Sequence, residues 1–192
     1  MRLRGSADPE LRNPTSTNPS KGALLVALPT LMDSHFRRTI LFLSHHDDED
    51  GAVGFILNRP LKENLGELAG STGGLGHVPV FEGGPVERHH LILTRLLWNH
   101  EGAHFQSLSE EDLAEKGNTP DLRAFTGYAG WSAGQLEREI EEKSWIVLPP
   151  TSALLSTVLT QEEGVSRWKS LMKDLGPWYH LLSEAPDDPK LN

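Results

Sequence analysis

Residues 36–60 read FRRTILFLSHHDDEDGAVGFILNRP. Two apolar runs, FRRTILFLS (36–44) and AVGFILN (52–58), flank the acidic stretch HHDDEDG, which closes on the turn pair Asp50-Gly51. Runs rich in Ile, Leu and Phe on either side of a short Asp-Gly loop spell a β-hairpin. Pro60 is expected to end the second strand, because proline has no N–H to give to a ladder. The acids do not fit a calcium loop. With Gly51 set at position 6, His46 stands at position 1 and Leu57 at position 12, where acids are required. A solvated hairpin tip accounts for them, since turns collect Asp and Gly. His45 and His46 are adjacent, so in a strand they point to opposite faces and cannot easily share one metal.

Outward from the hairpin, GALLVALP (22–29) reads as a buried strand closed by Pro29. Leu61, Leu65 and Leu68 recur at helical spacing and predict a short amphipathic helix. GSTGGLGH (70–77) is a loop, VPVFEGGPVE (78–87) a strand running into a Gly-Gly-Pro turn, and HLILTRLL (90–97) another strand. Ser109 is placed as a helix N-cap, with Leu108 and Leu113 as a hydrophobic staple. DLRAFTGYA (121–129) and WIVLP (145–149) are further strands. Trp168, Leu171, Met172 and Leu175 mark a helix face stopped by Gly176-Pro177. Strands and helices are interspersed, without repeat or internal linker. That predicts one α/β or α+β domain over residues 21–192. Residues 1–20, rich in Pro, Ser, Asn and Thr, read as a disordered tail.

The chain of 192 residues carries 18 Lys and Arg against 27 Asp and Glu, a net charge of −9, and contains no cysteine. Disulfides and thiolate metal sites are excluded. An acidic surface repels phosphates, so tight sequence-specific DNA binding is not expected. No apolar stretch approaches the roughly 20 residues that span a bilayer, and the N-terminal segment has no apolar h-region of a secretory signal. A cytoplasmic protein is the expectation, with no cofactor and no metal.

Three motifs invite chemistry. HEGAH (100–104) matches H-E-x-x-H, which binds zinc when a helix places both imidazoles on one face. Gly102 sits at its centre and no apolar helical stripe surrounds it, so a strand or loop is expected there. GWSAG (130–134) matches the nucleophile elbow G-x-S-x-G, between a strand and the helix QLEREIEEK, with Asp174 and His180 following in hydrolase order. Ser132 also has a structural reading: an N-cap with Gln135 at N3 completing a capping box, and Trp131 and Leu136 as a staple. GSTGGLG and EGGPV are neither a Walker A loop nor G-x-G-x-x-G. Gly83-Gly84-Pro85 reads as a tight turn whose amides could cup an anion.

Taken together, GALLVALPTLMDSHFRRTILFLSHH, GAVGFILNRPL, GGPV, GYAGWSAGQLEREI with SWIVLP, and SRWKSLMKDLG resemble the AlgH/YqgE family of bacterial proteins, in family order over about residues 22–176. The resemblance implies a single compact α+β domain, with a mixed, curved, partly barrel-like β-sheet flanked by helices. It implies a cytosolic protein with no established activity, though a transcriptional-regulator label is attached to many members. His46, Gly51, Ala52, Gly54, Asn58 and Pro60 match the family pattern. The serine position varies in the family, which argues against the hydrolase, and the family has no histidine pair at HEGAH. Thr94 stands where relatives often carry a histidine. The expected function is non-enzymatic binding or regulation, through a protein partner or a small anionic ligand. The candidate surface joins Asn58, Arg59, Gly83, Gly84, Pro85, Trp131 and Gln135. The rival is a serine hydrolase using Ser132, Asp174 and His180.

Overall fold

The hairpin forms where the sequence places it. Strand β2 (Ile40–Asp47) pairs antiparallel with β3 (Gly51–Ile56), Leu41 opposite Ile56 and Asp47 opposite Gly51. A bulge at Ser44 shifts the register, and the Ser44 hydroxyl donates to the Val53 carbonyl at 3.1 Å. At the tip, the Asp47 carboxylate accepts the backbone N–H groups of Glu49 and Asp50. Those two bonds hold its carboxyl below the usual aspartate range, outweighing a small opposing effect of burial. The acids are therefore a turn, closed by an Asx-type contact.

The structure, a computed structural model, describes residues 18–70, 74–99, 102–108, 122–149, 155, 158 and 164–185. The tail read at 1–20 lies outside them except for its last three residues, and the helix start read at Ser109 lies outside them too. Strand β1 (Leu24–Ala27) lies between β2 and β9 (Trp145–Leu148). On the other side, β3 pairs with β8 (Leu122–Trp131), Ala52 opposite Trp131. Strand β8 also takes β5 (Pro79–Glu82) in parallel and β6 (Val86–Asn99) antiparallel. Strand β7 (Gly102–Ser107) extends β6, and β4 (Pro60–Asn64) pairs with β5 at the sheet's end. The result is a nine-stranded mixed sheet in one α+β domain, curved into a half-barrel.

Among the described residues four helices accompany it: α1 (Leu65–Ala69), α2 (Gln135–Glu141), α3 (Gly164–Asp174) and α4 (Pro177–Ser183). Both faces of the central strands are covered, so LLVA in β1 is buried at all four positions rather than alternating. One face, with Leu24, Val26, Phe42 and Phe125, packs on Trp168, Leu171 and Met172 of α3. The Trp168 indole N–H donates to the Ala27 carbonyl at 2.8 Å and ties α3 to β1. The other face, with Leu25, Ala27, Leu41 and Ile56, packs on Trp131, Leu136 of α2 and Trp145.

Two expectations are corrected. Pro60 does not simply end the strand before it: β3 stops at Ile56, and Pro60 opens β4. Proline is tolerated there because β4 is an edge strand. Leu61 therefore sits in β4, and only Leu65 and Leu68 belong to α1, which Asn64 caps with a complete capping box.

Candidate functional site

Asn58 is buried, at 3% exposure, just beyond the end of β3. Its side-chain oxygen accepts the Ile40 N–H at 2.8 Å, and its amide donates to the carbonyls of Arg38 at 3.0 Å and Gly164 at 2.8 Å. Both amide hydrogens are used, so Asn58 pins the edge of β2, the preceding loop and the start of α3 together. A side chain at Gly164 would bring a Cβ to 2.2 Å from the Asn58 carbonyl oxygen, which explains the glycine. Asn58 is the back wall of the site rather than a ligand contact.

Arg59 turns the other way. Its Nη2 donates to the carbonyls of Ser34 and Arg37 at 3.4 Å each, and its Nη1 lies 3.7 Å from the Glu82 carboxylate. All three distances exceed those of well-formed hydrogen bonds. Glu82 is held more closely by Arg88, at 3.1 Å. The backbone of Arg59 is fixed, its carbonyl accepting the Glu82 N–H at 2.9 Å. A cleft of about 180 Å³ opens here between Ser34, Arg37, Arg38, Arg59 and the first turn of α3 at Gly164 and Val165. It continues into a groove of about 770 Å³ along β4. Arg38 has φ 57°, a left-handed conformation for a residue with a long side chain. Such strain is of order 1 kcal/mol or more and collects at functional sites.

Gly83-Gly84-Pro85 follows Glu82, which lines this groove, but its glycines do other work. Strand β5 lies on one edge of β8 and β6 on the other, so the chain crosses over β8 between them. A Cβ on Gly83 would stand 2.2 Å from the Gly127 carbonyl oxygen, and one on Gly84 2.2 Å from the Tyr128 carbonyl carbon. Only glycine permits that backbone-on-backbone contact. The Gly83 N–H donates to Thr126 and its carbonyl accepts from Ile56. That amide is not available to an anion.

Trp131 and Gln135 do not join the surface. Trp131 pairs with Ala52, and Asn58 lies six residues further along, a run of about 20 Å. Trp131 is buried, stacked on Phe36 at 6.0 Å and set edge-on to Trp145 at 6.1 Å. The Glu139 carboxylate accepts both indole N–H groups, at 3.0 Å from Trp131 and 2.8 Å from Trp145, and the Gln135 amide at 2.9 Å. Gln135 also accepts the Ser132 N–H, which is half of the expected capping box. The other half is missing: Gly134, at φ 68°, occupies the N-cap of α2, and no side-chain cap bond forms.

Ser132 has no base. Among the described residues neither His180 nor Asp174 makes a hydrogen bond or ion pair with it. In the HEGAH segment, His104 lies in β7 opposite Leu97, so it is not on a helix. His100 and Glu101 lie outside the described residues. The Thr94 hydroxyl donates to the Arg123 carbonyl inside the sheet.

Two features carried no signal in the sequence. The His46 imidazole meets the Glu137 carboxylate at 2.6 Å, linking β2 to α2 across 91 residues. Burial pushes the Glu137 carboxyl up, but the His46 hydrogen bond, the local backbone and neighbouring charges outweigh it and hold the group below its ordinary value. Second, an apolar groove of about 950 Å³ runs between Leu28, Trp145, Trp178 and Tyr179, with Trp178 exposed. Both depend on helices packing onto strands far away in sequence.

A family profile described as DUF179, AlgH-like, matches residues 24–180. A UPF0301 protein of Chlorobium luteolum is 33% identical over 188 residues, covering 89% of this chain and 94% of that protein. A UPF0301 protein of Coxiella burnetii is 32% identical over 193 residues, covering 94% and 97%. The crystal structure of DIP2367 from Corynebacterium diphtheriae aligns with a TM-score of 0.68 at 21% identity, over 92% of this chain and 98% of that one. The solution structure of AlgH from Pseudomonas aeruginosa aligns at 0.61 and 24% identity, over 96% and 98%. These two structural likenesses support the fold.

Proposed function

The chain belongs to the AlgH-like family of bacterial proteins, and on that footing we propose a non-enzymatic binding or regulatory protein that holds a small anionic ligand, or an anionic group of a protein partner, at Arg59. One observation carries the reading: Arg37, Arg38 and Arg59 line one small cleft on a chain whose net charge is −9. A cationic cleft in an acidic surface focuses its field on small anions and disfavours long polyanions such as duplex DNA. Arg59 holds its protein partners only at long range, so its planar fork can turn to a carboxylate or phosphate in two-point fashion. A regulatory role in the cytoplasm proceeds in this reading without DNA contact. No helix among the described residues is long and apolar enough to cross a membrane.

The test is a titration of the ¹⁵N-labelled protein with sodium acetate and with inorganic phosphate. Saturable shifts at the Arg59 Nε–H and at the Gly164 and Val165 amides are expected, lost in Arg59→Ala. Shifts that never saturate, or that survive Arg59→Ala, would refute the site.

A further inference from the structure

We propose that Arg95 is a second anion site, at which Arg95, Gln106 and His104, on one face of the β6–β7 hairpin, take the carboxylate or phosphate group of a small ligand. This goes beyond the reading of Arg59 and does not rest on it.

Arg95 lies in β6 and is only 9% exposed. Its Nε and Nη2 are buried and have no hydrogen-bond partner. Among the described residues no Asp or Glu forms an ion pair with it. Water can satisfy an N–H but does not neutralise a guanidinium, and an arginine cannot shed its charge inside a protein. Buried charges are paired, because one left alone is costly. The anionic group of a ligand supplies the counter-charge that these residues do not.

Strand pairing decides what stands beside it. Arg95 is opposite Gln106 on β7 and Leu122 on β8, and the next pair on the same face is Leu97 with His104. Opposite side chains have Cβ atoms about 5 Å apart and diagonal ones about 7–8 Å, so a long arginine reaches toward both Gln106 and His104. Both are half-buried, and among the described residues neither side chain makes a hydrogen bond. The carboxamide offers two N–H donors and the imidazole at least one. Leu93, Leu108 and Leu122 stand around them, at the rim of an apolar cluster that also holds Leu65 and Val80. Apolar walls strengthen the pull of a charged donor on an anion. The planar fork of arginine matches two oxygens of a carboxylate or phosphate. The place is separate from the Arg59 cleft. Glu82, beside Arg59, is opposite Thr126 on one edge of β8, whereas Arg95 is opposite Leu122 on the other. The four residues between those positions span about 13 Å of strand.

The experiment titrates the full ¹⁵N-labelled chain with inorganic phosphate and, separately, with sodium acetate, while sodium chloride holds the ionic strength constant. Saturable shifts are expected at the Arg95 Nε–H and the Gln106 side-chain amide. They persist in Arg59→Ala, which loses only the shifts at its own cleft, and they vanish at Gln106 in Arg95→Met. Arg95→Lys, which keeps the charge without the fork, weakens the anion by about tenfold, as loss of one charge-assisted hydrogen bond requires. Phosphate saturating at the lower concentration assigns a phosphoryl ligand, and acetate doing so a carboxylate. Melting gives a second readout: in the Arg59→Ala background the anion raises Tm, and adding Arg95→Met abolishes the rise. Shifts that never saturate at Arg95, or an anion that binds Arg95→Lys as well as the parent, overturn the site. So does a Tm rise that survives Arg95→Met. Should Arg95→Met fail to fold, Arg95→Lys and the saturation at Arg95 decide alone.

Discussion

Asn58 and Arg59 are neighbours with opposite employment. The Asn58 side chain spends its amide hydrogens and its oxygen on three backbone groups, while the Arg59 guanidinium makes only contacts of 3.4 Å and longer. Ser132 shows the same lesson from the other direction. Its sequence pattern suggested either a nucleophile or an N-cap, and its hydroxyl makes no cap hydrogen bond and, among the described residues, none with Asp174 or His180. Ser132→Ala is therefore expected to change stability by no more than about 0.5 kcal/mol, well short of a lost cap. The parent protein should take no fluorophosphonate label. Urea unfolding and probe labelling check both halves, and labelling at Ser132 would restore the hydrolase. Gly84 is the contrasting case. Gly84→Ala drives a Cβ to 2.2 Å from the β8 backbone, where nothing flexible can yield. A loss of about 4 kcal/mol or failure to fold is expected, and a stable Gly84→Ala protein would contradict the crossing of the β5–β6 link over β8.

At the scale of elements, the fold was largely legible because buried strands here are continuous apolar runs and the breaks between them are Gly, Pro and Asp. GALLVALP, WIVLP and the hairpin of β2 and β3 need no tertiary information. The misreading of Leu61 came from the same rule, since i, i+4, i+7 spacing cannot tell a helix from an edge strand followed by a helix. The site was legible only in part. Asn58, Arg59 and the Gly-Gly-Pro turn share one end of the sheet, but nothing in the sequence said that Trp131 pairs six residues away from Asn58. Pairing registers decide that, and they are invisible in one chain. The contact of His46 on β2 with Glu137 on α2 was equally hidden and makes a testable link. The Glu137 carboxyl titrates below its ordinary value of about 4.3. A depressed carboxyl contributes stability above its unfolded pKa, and that contribution is lost as pH falls through the folded one. Carboxyl ¹³C shifts should therefore place the Glu137 midpoint below the ordinary value, and His46→Ala should raise it. The parent's advantage over His46→Ala should shrink below about pH 4. An unchanged midpoint in His46→Ala would break this account.

For the whole molecule, the decisive feature is a sheet covered on both faces, with the helical cover of one face tied to the sheet by the Asn58 amide as well as by the Trp168 indole. Asn58 connects residues 18, 20 and 106 positions away, from β2, the loop before it, and α3. The core between them is shared: Leu24, Phe42 and Phe125 of the sheet pack on Trp168 and Met172 of α3. No boundary separates the hairpin from the helix it carries, so unfolding one should unfold the other. Asn58→Ala strands an N–H and two carbonyls at a buried strand end. Each such group costs about 1–3 kcal/mol, and water entering from the neighbouring cleft can recover part of it, so about 3 kcal/mol in total is expected. For a domain of this size that lowers Tm by roughly 10 °C. The transition should stay single, with tryptophan fluorescence, which reports the Trp131–Trp145 face and Trp168, coincident with far-ultraviolet circular dichroism. Arg59→Ala, one residue on, should move Tm by only a degree or two, because the Arg59 side chain makes no short contact. If the two substitutions cost the same, the division between a wall that holds the fold and an arginine kept for a ligand is wrong. If Asn58→Ala splits the melt into two transitions, the face under α3 is a separate unit and the shared core does not couple the sheet to its helix.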